Sequence, residues 1–182
     1  MTCFKNLLLM LGLTCMMLAC NNTKNSGSMQ SNDMAQPASI TLPYTPSYSS
    51  SFKIGNPDYA TMIVQGSWKD WDDNNMDNLK NWMADTILTV FSNNETIRGI
   101  DSVTAIWKRV RANYSSFHTN LDAVIPVYST DKKDNWVLVW TDVVGTRTDG
   151  TVDSASFMET WMINSAGKAA MLLQYDRANR KK

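Results

Sequence analysis

Apolar positions recur every second residue over the last third of the chain, and every third or fourth residue over much of the stretch before it. The run from Asn135 predicts a strand with Trp136, Leu138, Trp140, Asp142 and Val144 on one face. Val137, Val139, Thr141 and Val143 fall on the other. A second run puts Phe157, Glu159, Trp161 and Ile163 on one face, and Met158, Thr160 and Met162 on the opposite one. A turn at Asn164-Ser165-Ala166-Gly167 then returns the chain through Ala169 to Asp176. The first of these three strands is largely apolar on both faces, so both need cover. Helices earlier in the chain, or a second copy of the protein, must supply it.

The helices are marked upstream. Asn56-Pro57 combines a capping side chain with a proline at the first helical position, and opens a helix to about Trp71. Asp72-Asp73-Asn74-Asn75 interrupts it, and a short helix over 76–83 turns Met76, Leu79, Trp82 and Met83 inward. The β-branched run Thr86 to Phe91 predicts a strand. Gly99 precedes a third helix, Asp101 to about Asn113, with Val103, Ile106, Trp107, Val110 and Tyr114 at helical spacing and Asp101 or Ser102 as its cap. Leu121 to Tyr128 is the next strand, closed by the polar turn Thr130 to Asp134. Helices gathered ahead of consecutive hairpin strands predict an α+β domain over residues 52–178, with the helices on one face of a curved antiparallel sheet.

The first residues have a different character. Lys5, an apolar run from Leu7 to Leu18 and the ending Met17-Leu18-Ala19-Cys20 form a signal peptide, too short to span a bilayer. The ending resembles the lipobox of bacterial lipoproteins. That resemblance implies removal of residues 1–19, a lipid on Cys20 and a place in the cell envelope, held to the membrane. Residues 20–51 are rich in Asn, Ser, Thr, Gln and Pro and are expected to form a flexible tether. Residues 179–182 form a basic tail.

Processing changes the composition that matters. Of three cysteines, Cys3 and Cys15 leave and Cys20 is the anchor, so the mature domain has no thiol for a disulfide or a metal site. Loss of Lys5 leaves 16 basic against 17 acidic residues, a balance that favours no nucleic-acid partner. There is no glycine-rich phosphate loop and no paired metal motif, so no cofactor and no metal are expected.

One set of residues carries a family resemblance. Asn75-Met76-Asp77-Asn78-Leu79 leads into Met83-Ala84-Asp85; Gly99 precedes a helix; Glu159 to Gly167-Lys168 closes a hairpin. In order and spacing these resemble the nuclear transport factor 2-like superfamily, nearest its SnoaL-like and ketosteroid-isomerase-like branches. The resemblance implies a cone-shaped curved sheet wrapped on three N-terminal helices, a pocket inside the cone and often a dimer across the outer sheet face. It places Glu159 where the isomerases keep a protonated acid that donates to an oxyanion. The isomerases' base falls near Phe91, which takes no proton, and their tyrosine near Ser67, beside Trp68. Steroid isomerisation by that mechanism is therefore excluded.

Strand parity puts Phe157 and Glu159 on one face. The expected pocket joins them to Trp140 and Asp142, with Leu172 and Gln174 from the last strand and Phe91 and Trp107 opposite. Desolvation there raises the Glu159 pKa and suits it to acid–base work, or it is simply hydrogen-bonded. Asp142 is either its partner or a solvated residue at the mouth. His118, the only histidine, is a candidate base or a hydrogen-bonded rim residue. Of the seven tryptophans most belong to the core and the rest to a pocket or surface. Two functions remain. One is a module that binds a small apolar or aromatic ligand or a protein partner. The other is a small isomerase, dehydratase or hydrolase using Glu159 with Asp142 or His118. A homodimer is expected through Val137, Val139, Met158, Thr160 and Met162.

Overall fold

The computed structural model describes residues 42–178; the signal peptide, Cys20, the tether as far as residue 41 and the basic tail lie outside the described residues. Seven strands form one sheet: β1 (Phe52–Ile54), β2 (Met83–Val90), β3 (Thr96–Arg98), β4 (Tyr114–Ser129), β5 (Asn135–Arg147), β6 (Val152–Ile163) and β7 (Ala169–Ala178). Their spatial order is β1-β4-β5-β6-β7-β2-β3. Every neighbouring pair is antiparallel except β2 with β7, which run parallel because the chain crosses the whole sheet between them. The sheet is open, and its two edge strands are only three residues long, too short to template another chain. This is the expected α+β cone, with mixed rather than wholly antiparallel pairing.

The helices lie against the concave face. α1 (Pro57–Ile63) starts where the Asn56 side chain accepts from the Asp58 N–H, with Pro57 at the first turn. It continues through a π-helical segment, Val64–Lys69, into α2 (Asp70–Asp72). Gly66 sits in that widened stretch, and a Cβ there would lie 2.4 Å from the Trp82 indole, so the close approach needs glycine. A 3₁₀ turn, Met76–Asn78, leads into α3 (Leu79–Trp82), and α4 (Ile100–Arg111) follows β3. Ile63, Leu79, Met83, Ile87, Val103, Val137, Val139, Trp161 and Leu172 are fully buried between helices and sheet.

Three expectations are corrected. β4 begins at Tyr114 rather than Leu121, and α4 stops at Arg111, so Tyr114 is a strand residue. Pairing along nearly the whole of β5 extends the strand through Ser115-Ser116, which local pattern alone leaves unmarked.

The second correction is the parity of β5. Val139 lies opposite Glu159 and Trp140 opposite Met158, and directly opposed residues share a face. Val137, Val139, Thr141 and Val143 therefore face the helices and are buried, while Trp136, Leu138, Trp140 and Asp142 face outward. Slim β-branched residues fit the tightly packed concave side; the bulky ones go to the convex side. Val137 and Val139 are consequently core residues, not part of an outer interface.

Third, the tether ends sooner than Ser51. The Tyr48 hydroxyl donates to Asp134 Oδ2 at 2.7 Å and accepts from Trp136 Nε1 at 3.0 Å. The Ser49 hydroxyl donates to Asp131, and with the Ser129 hydroxyl it holds that carboxyl down at a pKa of about 2. The chain is fixed to the β4–β5 turn from Tyr48 onward.

Candidate functional site

Where the sheet curls away from α4 and the π-helical segment, it leaves a cavity of about 690 Å³. Concave-face parity builds its floor. Glu159 on β6 stands opposite Gln174 on β7, and the Gln174 amide Nε2 donates to Glu159 Oε1 at 2.8 Å. Two residues along β6 on the same face, Trp161 donates through Nε1 to Oε2 at 2.9 Å. The Ser67 hydroxyl, from the π-helical segment, is a third hydrogen-bond partner. Glu159 is 2 % exposed. Burial pushes its pKa from 4.5 up to about 7, against the pull of these three bonds. All three partners are neutral, and among the described residues no cation pairs with its charge.

Aromatic rings make the walls. Trp68 stands edge to face against Phe157 at 5.7 Å, and Trp71 meets Trp107 in the same way at 5.7 Å. Trp107 continues inward to Trp161 at 6.5 Å, and Trp71 continues outward to Phe117 at 5.5 Å. The indole N–H of Trp68 is buried without a protein partner. Phe91, just past the end of β2, completes the aromatic lining.

The mouth is polar. The Tyr114 hydroxyl donates to Asp153 Oδ2 at 3.1 Å, Arg147 donates to the same oxygen, and the Arg147 guanidinium lies 4.9 Å from the Tyr114 ring centre. Burial, then the bond to Asp153, raises the Tyr114 pKa above its usual value. A Cβ on Gly145 would stand 2.8–2.9 Å from the Phe117 and Tyr114 rings, so this position must stay bare for both rings to lie across β5. Across the opening, Asp176 accepts from the Ser92 hydroxyl.

The structure brings Phe91, Trp107, Phe157, Glu159 and Gln174 into one lining. Leu172 faces the same way but is fully buried beneath the floor, outside the lining. Trp140 and Asp142 do not join them: the β5 parity puts both on the convex face, where Asp142 is exposed opposite Ser156. His118 is also exposed there, opposite Val144. Neither Asp142 nor His118 can work with Glu159 across the thickness of the sheet, and the expected pairing of acids does not form.

Sequence reasoning missed Ser67, Trp68, Trp71, Tyr114, Arg147, Asp153 and Asp176. For Asp153 and Asp176 the signal was present, since the period of two that carries Glu159 and Gln174 inward also carries these two. Among the described residues no group of three or more His, Cys, Asp or Glu is gathered to hold a metal ion.

No family model matches the sequence, and no curated protein matches it. Solved structures match in fold. A protein assigned as a SnoaL-like polyketide cyclase from Jannaschia sp. superposes with a TM-score of 0.55 at 13% identity, covering 68% of this chain and 90% of that one. An epoxide hydrolase of Mycobacterium tuberculosis gives 0.52 at 12% identity, over 66% of this chain and 84% of the other. A second M. tuberculosis protein, solved in complex with estradiol-17β-hemisuccinate, gives 0.52 at 15% identity, over 64% and 92%. The chain has the fold of the nuclear transport factor 2-like superfamily.

Proposed function

We propose that this domain binds a small, largely apolar ligand in the cone, with Glu159 as the polar anchor. The observation that carries the reading is one fully buried carboxyl at the floor of an aromatic-walled cavity of about 690 Å³, a size that suits a drug-sized molecule. Trp68 offers a further unpaired donor for the ligand. The neighbours in this fold include a protein assigned as a polyketide cyclase, an epoxide hydrolase and a protein solved with a steroid conjugate bound, which supports a small-molecule ligand.

Catalysis is the second reading, favoured by the Glu159 pKa near 7, which suits a general acid or base. It needs a second reacting group beside Glu159; Asp142 and His118 are on the convex face, and Tyr114, Asp153 and Asp176 of the lining stand at the mouth, hydrogen-bonded to other residues. Binding is therefore preferred. Titration of hydrophobic fluorescent probes against the domain tests it: saturable binding lost in a Trp68→Ala, Phe157→Ala double variant supports the cavity, and binding unchanged by that variant refutes it.

We also propose that Cys20 carries lipid and holds the protein in the bacterial envelope. The Leu18-Ala19-Cys20 ending supports this. Metabolic labelling with a fatty acid should mark the native chain and not Cys20→Ser; a labelled Cys20→Ser form would refute it.

A further inference from the structure

Resting on the cavity as the binding site, we infer that its ligand is an organic cation: a protonated amine on an apolar, ring-sized body. Three observations converge. The lining carries four carboxyls, Glu95, Asp153, Glu159 and Asp176, and a single basic residue, Arg147. That asymmetry stands out in a chain whose charges balance overall. Arg147 is already committed, donating to Asp153 and lying over the Tyr114 ring. Arg111 is outside the lining; it donates to the carbonyls of Trp71, Asp72 and Tyr114, and its guanidinium lies 5.3 Å from the Phe117 ring centre. A cleft with low-dielectric walls and one sign of charge concentrates ligands of the other sign.

The second observation is Glu159. Its partners Trp161, Gln174 and Ser67 are neutral, and it takes part in no ion pair. A buried carboxyl without a counter-charge is a site where an ammonium N–H gains both a hydrogen bond and charge neutralisation. The third is the wall itself. Trp68, Phe157, Trp71 and Trp107 all line the cavity, and the two pairs meet edge to face, at 62° and 84°, rather than stacking face on face. Ring faces attract cations, tryptophan most strongly. An anion would meet three uncompensated carboxyls and these faces, and a neutral hydrocarbon would gain only the apolar part.

The experiment uses three small probes of similar size on the residue 42–182 chain and on the full-length protein: N,N-dimethylbenzylammonium, its neutral carbon isostere isobutylbenzene, and phenylacetate. Binding is measured by equilibrium dialysis at neutral pH. The ammonium should bind at least about tenfold more tightly than isobutylbenzene, and phenylacetate most weakly. Glu159→Gln should remove most of the ammonium's advantage over isobutylbenzene while isobutylbenzene itself is unchanged, which shows the cavity intact. Asp176→Asn, at the exposed rim, should weaken the ammonium several-fold and flatten its salt dependence. Isobutylbenzene or phenylacetate binding as well as the ammonium would overturn the charge preference and leave the cavity reading standing. Binding of none of the three would overturn both.

Discussion

Glu159 makes the stability of this domain depend on pH in a sense opposite to that of most acids. Its folded pKa is raised, from 4.5 to about 7, because burial penalises the charged form. Between those values the folded state keeps a proton that the unfolded chain has released. Stability is therefore fully present below pH ~4.5 and is lost as pH rises from there to about 7, by about 3 kcal/mol in all. Glu159→Gln should abolish the slope. It gives up one acceptor, to Trp161 or Gln174, and so should be about 1 kcal/mol less stable than the native chain at pH 4 but more stable at pH 8. Urea unfolding at the two pH values checks this; equal losses in both proteins would show that another group carries the effect. Gly145 acts by what it lacks. Gly145→Ala drives a methyl into the Phe117 and Tyr114 rings, and should cost about 1–3 kcal/mol in the same assay and shift the fluorescence of Trp71, which packs on Phe117.

Between elements, Arg111 is the principal tie. At 5 % exposure, it ends α4 and donates to the Trp71 and Asp72 carbonyls at the end of α2 and to the Tyr114 carbonyl opening β4. Arg111→Met fills similar space but leaves three carbonyls without a donor, and should cost about 3 kcal/mol and loosen the Trp71 wall. An Arg111→Met chain as stable as the native one would deny it that role. The sequence marks these elements unevenly, for physical reasons. β6 alternates Phe157, Glu159 and Trp161 with Met158, Thr160 and Met162, and its inward face is legible because an acid flanked by aromatics needs a partnered interior. β5 offers tryptophans and leucine on one side and valines on the other, both apolar, so hydrophobicity carries no parity there. What decides it is volume against the helices, together with the pairing to β6. The two cues were Asp142, an unpaired charge on the tryptophan face, and Gly145, a bare position on the valine face. Tyr114 was hidden because its helical spacing from Val110 is real while its pairing with Arg147 is long-range.

At the scale of the molecule the two faces of the sheet have different work. The concave side holds the cavity; its mouth is at the Arg147 end of β5, while Tyr48 joins the sheet at the Asn135 end. Among the described residues, no element covers the middle of the convex side. Leu138 and Trp140 on β5, Met158 and Met162 on β6, and Leu173 on β7 lie side by side there, half-buried or exposed, with no charge among them. Ile125 on β4, 39 % exposed, extends the patch across a fourth strand. A continuous apolar face of that kind normally marks an interface. A neutral patch centred on β5 and β6 is complementary to itself under a two-fold rotation, the commonest symmetry of small assemblies. We predict a homodimer through this face, with Trp140 and Met158, which stand directly opposite each other, at its centre. Sedimentation equilibrium of the chain without its first 41 residues should give twice the protomer mass at micromolar concentration. Met158→Lys should yield the monomer while ligand binding in the cavity persists, because Met158 points away from Glu159. A native chain that remains monomeric at about 100 µM, well above the dissociation constant of stable dimers, would leave the convex face without its second copy.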